Sequence, residues 1–80
     1  MTNVKVLFFG ATADAVGERE IEIDVETDAK ADAVFKQIIS DYPQLEKHSL
    51  LFALNQEYSN GDEIIRNGDE LAIFTAVSGG

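Results

Sequence analysis

The sequence has no cysteine and no tryptophan, one proline, one histidine and few basic residues. Each scarcity excludes something. Without cysteine there is no disulfide framework, no thiolate nucleophile, no Cys-ligated zinc and no cysteine-held iron–sulfur cluster. Six Lys and Arg against fifteen Asp and Glu leave a net charge of −9 at pH 7. Phosphate backbones need Lys and Arg to neutralise them, so no nucleic-acid partner is expected. The same sign argues against anionic membrane surfaces, so no membrane partner is expected either. The opening Met1-Thr2-Asn3-Val4-Lys5 lacks a basic signal-type region, and no apolar run is long enough to cross a bilayer. The expectation is a soluble, cytoplasmic chain. A chain of 80 residues buries only roughly 60–65% of its unfolded surface, enough for one core. One domain is expected over 1–77, with 78–80 as a flexible Ser-Gly-Gly tail.

What is present is a clear pattern of short elements. Val4-Lys5-Val6-Leu7-Phe8-Phe9, closed by Gly10, is β-branched and aromatic and reads as a strand. About nine loop residues are expected to follow it, with a turn at Val16-Gly17-Glu18. Arg19 to Glu26 alternates, with Ile21, Ile23 and Val25 on one face and Glu20, Glu22, Asp24 and Glu26 on the other. That pattern predicts a strand with one buried face. Ala31, Val34, Phe35, Ile38 and Ile39 form one helical stripe. Thr27 or Asp28 is the expected N-cap, Asp28 and Asp32 favour the first turn, and Pro43 should end the helix near Tyr42. Leu50 to Leu54 is a third strand, and Glu70 to Val77 the last. Asn60-Gly61 and Asn67-Gly68 mark turns. The order β-β-α-β-(short β)-β, with one main helix to cover one face of a mixed sheet, predicts an α+β fold of the β-grasp, or ubiquitin-like, kind.

The side chains offer little chemistry. His48 has no visible orienting partner and reads as a surface loop residue. Ser40, Ser49, Ser59 and Ser78 sit in no nucleophile-elbow pattern. Gly61 and Gly68 form no phosphate loop. Asn60-Gly61-Asp62-Glu63 and Asn67-Gly68-Asp69-Glu70 bring four carboxylates close in sequence but lack the spacing of a calcium loop, so they read as two turns and no metal site is expected.

The terminal Gly79-Gly80 is a different kind of signal. A tail without Cβ atoms can enter a narrow channel extended and adopt backbone angles closed to other residues. It would deliver the carboxylate of Gly80 to a partner's active site. A carboxylate must be activated before acyl transfer, for example as an acyl-adenylate, and the partner would supply ATP and catalysis. A docking surface should then show as apolar residues on the face turned away from the helix. One set in each of the first and last strands must pack on the helix, which leaves Leu7, Phe9, Ala72 and Phe74 as the exposed patch. The surrounding acids would steer the domain to a basic partner.

Val4 to Gly10 with Val16-Gly17, the segment Phe52-Ala53-Leu54-Asn55-Gln56-Glu57-Tyr58, and the run from Asn67-Gly68-Asp69-Glu70 to Val77-Ser78-Gly79-Gly80 together resemble the small, ubiquitin-like sulfur-carrier subunits of molybdopterin synthase. The resemblance covers essentially the whole chain. It implies that Gly80 is adenylated by an ATP-dependent, E1-like activating enzyme and converted to a thiocarboxylate. It also implies that the tail, with Gly79 and Ser78 beside Gly80, inserts into the large subunit of molybdopterin synthase. Sulfur then passes to cyclic pyranopterin monophosphate during molybdenum cofactor biosynthesis, within a heterotetramer. On this basis the chain binds no cofactor, is itself a non-catalytic subunit of a sulfurtransferase complex, and uses Phe9 and Phe74 at the interface. Thr75-Ala76 stands where the family usually has two prolines, and Ala11 to Ala15 lacks the usual Arg/Glu character. The alternatives are a thiamine-pathway sulfur carrier, a ubiquitin-like protein modifier, and a binding module that transfers nothing.

Overall fold

The computed structural model describes residues 1–75. Along the chain run β1 (Thr2–Phe8), α1 (Ala11–Val16), β2 (Glu20–Val25), α2 (Ala31–Asp41), a 3₁₀ turn (Pro43–Lys47), β3 (Leu50–Leu54), β4 (Glu57–Tyr58) and β5 (Glu70–Thr75). One sheet has the order β2-β1-β5-β3-β4. β1 and β5 are parallel, with Phe8 opposite Ile73, and the remaining pairs are antiparallel. The last strand thus returns to the centre of the sheet, between β1 and β3. This is the β-grasp arrangement that the order of elements predicts.

The pleat divides each strand between two faces. Val4, Val6 and Phe8 from β1, Val25 from β2, and Leu71 and Ile73 from β5 are buried against Ala31, Val34 and Ile38 of α2, with Leu45 and Ile65 closing the ends. Burying each of the larger side chains contributes about 1.5–3 kcal/mol. Phe35 of α2 stacks on Phe52 of β3 at 4.4 Å between ring centroids, and Phe8 meets Tyr42 edge-on at 6.1 Å. The helix ends where Pro43 requires, with Tyr42 as its C-cap.

Two local expectations differ from the structure. Thr27 and Asp28 do not cap α2. The cap residue is Lys30, and no side chain caps the helix. Asp28 instead sits at positive φ in a turn closed by the Ala29 N–H donating to Glu26 O. The first free amides of α2 are satisfied from far away in sequence: Ala31 N–H donates to Glu63 O at 2.8 Å, and Asp32 N–H to Gly61 O at 3.0 Å. The segment between β4 and β5 therefore does the work of a cap. The expected loop after β1 contains the short helix α1, which ends on Gly17 in the left-handed conformation. Its Thr12 is fully buried. Ala13, Ala15 and Val16 pack on the core, so α1 closes it beside β5, β1 and the 3₁₀ turn.

The second Asn-Gly turn ties one end of the sheet together. Gly68 N–H donates to Asn3 O, and Asn3 N–H to Asn67 Oδ1, which ties the second turn to the start of β1. Asp69 accepts from Arg66 N–H through Oδ2 and from Asn55 Nδ2 through Oδ1. Among the described residues, no three His, Cys, Asp or Glu side chains gather into a group able to hold a metal.

Candidate docking face and chain terminus

The face of the sheet opposite α2 is covered by no helix or strand among the described residues. Register places its side chains in rows. Leu7, Ala72, Ala53 and Tyr58 lie side by side across β1, β5, β3 and β4. The next row toward the end of β5 pairs Phe74 with Leu51. Phe9 reaches the same row, because its N–H donates to Ile73 O. The four residues expected from the sequence, Leu7, Phe9, Ala72 and Phe74, thus sit together on the open face.

The structure enlarges the patch. Leu51 is 39% exposed and Tyr58 76% exposed, beside Phe9 at 52%. The Tyr58 ring lies 5.9 Å from that of Phe74, tilted by 55°. This contact holds two aromatic rings against a strand that water otherwise reaches. Leu51 and Tyr58 escape a reading of the sequence for a simple reason. Leu50 to Leu54 is apolar at every position and shows no alternation, so its faces cannot be assigned without a register. Tyr58 sits in a strand of only two residues.

Charge frames the patch on one side. Glu20 and Glu22 of β2 lie opposite Leu7 and Lys5 of β1, and Asp24 lies opposite Asn3. An open cleft beside Phe9 is lined by Phe8, Gly10, Ala13, Asp14 and Arg19. Among the described residues, no pair of nucleophile and base lines it. His48 lies between the 3₁₀ turn and β3, partly covered, its N–H donating to Leu45 O. What the face can do is bind, through apolar area and aromatic edges with acids beside them.

Ser78, Gly79 and Gly80 lie outside the described residues, as do Ala76 and Val77. Their attachment is nevertheless defined, because β5 carries the chain to Thr75 in the row of Leu50, at the same end of the sheet as Phe74 and Phe9. The five residues beyond Thr75 span at most about 17 Å when fully extended.

A five-stranded mixed sheet in the order β2-β1-β5-β3-β4, with one main helix on one face, defines a ubiquitin-like β-grasp domain. Residues 6–80 match the ThiS family, and the chain belongs to that family. It is 39% identical, over its whole length and the whole length of the relative, to the molybdopterin synthase sulfur carrier subunit of Caenorhabditis elegans. Its fold matches that of SAMP1 from Haloferax volcanii with a TM-score of 0.85 and 27% identity, covering 98% of this chain and 99% of that one. It also matches a chain from the complex of subunits 1 and 2 of molybdopterin-converting factor from Helicobacter pylori, with a TM-score of 0.71 and 22% identity, covering 99% of this chain and all of that one. That second likeness shows the fold alone.

Proposed function

We propose that this chain is the sulfur-carrying subunit of a molybdopterin synthase. The observation that carries the reading is the uncovered row Phe9–Phe74–Leu51 at the end of β5, the strand that leads to Gly80. Full-length similarity to molybdopterin synthase sulfur carrier subunits supports it. So does the poverty in catalytic side chains, which suits a protein whose reactive group is its own terminal carboxyl.

In this reading an E1-like enzyme docks on the apolar face and binds ATP. The Gly80 carboxylate attacks the α-phosphorus of ATP and pyrophosphate leaves, giving an acyl-adenylate. Hydrosulfide attacks the acyl carbon and AMP leaves, giving the thiocarboxylate. The same face then docks on the large synthase subunit, consistent with the existence of a complex between subunits 1 and 2 of the Helicobacter pylori factor. There the sulfur of Gly80 bonds to cyclic pyranopterin monophosphate, water cleaves the acyl carbon–sulfur bond to restore the Gly80 carboxylate, and a second carrier supplies the second sulfur in the same way. Two small subunits on a large-subunit dimer would make a heterotetramer in the cytoplasm. The chain itself binds no cofactor.

Deleting Gly79-Gly80 tests this assignment. The truncated chain should still bind the large subunit but support no conversion of the pterin precursor. Retention of function without those residues would return the chain to a plain binding module. The likeness to SAMP1, a small archaeal modifier protein, favours a second reading in which Gly80 forms an isopeptide bond with lysine. Gly80-linked lysines in lysate digests would support that role.

A further inference from the structure

We infer that Thr12 is a positioning residue for the terminus: its buried hydroxyl fastens β5 to β1 at Ile73, two residues before β5 ends at Thr75, and so helps set where the chain leaves the sheet toward Gly80. This deepens the sulfur-carrier reading and rests on it for its functional consequence. Thr12 is 0% exposed. Its Oγ1 accepts from the Phe9 N–H at 3.0 Å. Its single proton faces two carbonyl oxygens, Phe9 O at 2.7 Å and Ile73 O at 2.9 Å. Ile73 O accepts in addition from Phe9 N–H, at 3.2 Å. The registered β1–β5 pairs stop at Phe8 and Ile73. One hydroxyl on α1 thus closes the junction where β5 parts from β1. A buried polar group in such a position is retained only if its partners are in place. Thr12 presents no surface of its own to a partner and touches the docking face only through the Phe9 backbone, so the larger part of its effect on a partner enzyme should appear in the reaction rather than in binding.

The test compares Thr12→Val, Thr12→Ser and a core control, Ile38→Val, each as a full chain at a temperature where all are folded. The first readout is adenylation by the activating enzyme, followed as ATP–pyrophosphate exchange. Thr12→Val should lower kcat by about tenfold or more, as misplacement of a reacting group does, with KM within about twofold of the parent. Thr12→Ser should restore kcat, and Ile38→Val should leave it unchanged. A kcat unaffected by Thr12→Val overturns the inference. The second readout is amide hydrogen exchange, which does not depend on the carrier reading. Thr12→Val should speed exchange at Phe9 and at the end of β5 while α2 stays protected, and unchanged exchange there overturns the inference. A parent chain that is never adenylated overturns the carrier reading, and the exchange measurement then decides the anchor by itself.

Discussion

Gly61 and Gly68 share a backbone conformation but not a neighbourhood. Their φ values are 91° and 88°. A Cβ on Gly68 would meet nothing within 4 Å, whereas one on Gly61 would lie 3.1 Å from the Asp32 Cβ at the start of α2. Gly68→Ala should therefore cost about 1 kcal/mol from backbone strain alone. Gly61→Ala should cost more, about 2–3 kcal/mol, because strain and crowding combine. Thermal unfolding of the two variants side by side checks the order. Ser59 and Glu63 make a pH-sensitive pair in the same turn. The Ser59 hydroxyl donates to Glu63 Oε1, and this bond, with the amides of Glu63, Asn60 and Gly61, holds the carboxyl below its ordinary value of 4.5. A lowered folded-state pKa means that the stabilisation is present above the ordinary value and is lost as pH falls through the lowered one. Titration of the Glu63 carboxyl by NMR should show a midpoint below 4.5. Ser59→Ala should move it upward.

At the scale of elements, the hairpin β3–β4 depends on one residue more than its length implies. Asn55 and Gln56 both take positive φ, the pattern of a tight two-residue turn. Asn55 also joins the hairpin to β5: its N–H donates to Glu70 O, its Oδ1 accepts from Glu70 N–H, and its Nδ2 donates to Asp69. Asn55→Ala loses both side-chain bonds and strains the turn, so about 2–3 kcal/mol of destabilisation is expected. Asn55→Gly keeps the turn and should recover about 1 kcal/mol of that, as read from denaturant midpoints. The contrast between β2 and this hairpin explains how far sequence reading went. Ile21, Ile23 and Val25 alternate with acids, so the buried face of β2 is visible at once. The stripe Ala31–Val34–Ile38 and Pro43 likewise mark α2 and its end. The cap of α2 was out of reach because Gly61 O and Glu63 O come from a segment that only the fold brings near. Helix α1 was out of reach because six residues are too few to show a stripe, and its buried Thr12 looks like any loop threonine. Four of the seven residues on the open face, Leu7, Phe9, Ala72 and Phe74, were legible, because one of the two alternate sets in β1 and in β5 had to pack on the helix. Leu51 and Tyr58 required the register.

For the whole molecule, the net charge of −9 and the uncovered apolar rows make separable contributions to docking. Charge acts at a distance and is screened by salt, with a Debye length of about 8 Å at physiological ionic strength. Raising salt should therefore slow association with a basic partner while changing dissociation little. Apolar contact acts after encounter. Phe9→Asp places a charge in the exposed end row of the face and should weaken binding to the large subunit by about 30-fold or more. Its melting temperature should stay near that of the parent, because Phe9 is 52% exposed. Surface plasmon resonance on the two subunits separates the two effects. Intact mass spectrometry tests most directly whether Gly80 carries sulfur. After incubation with an active activating enzyme, ATP and a sulfur donor, the chain should gain the mass difference between one sulfur and one oxygen, located by fragmentation at Gly80. An unchanged mass, with an enzyme shown to be active, would contradict the account.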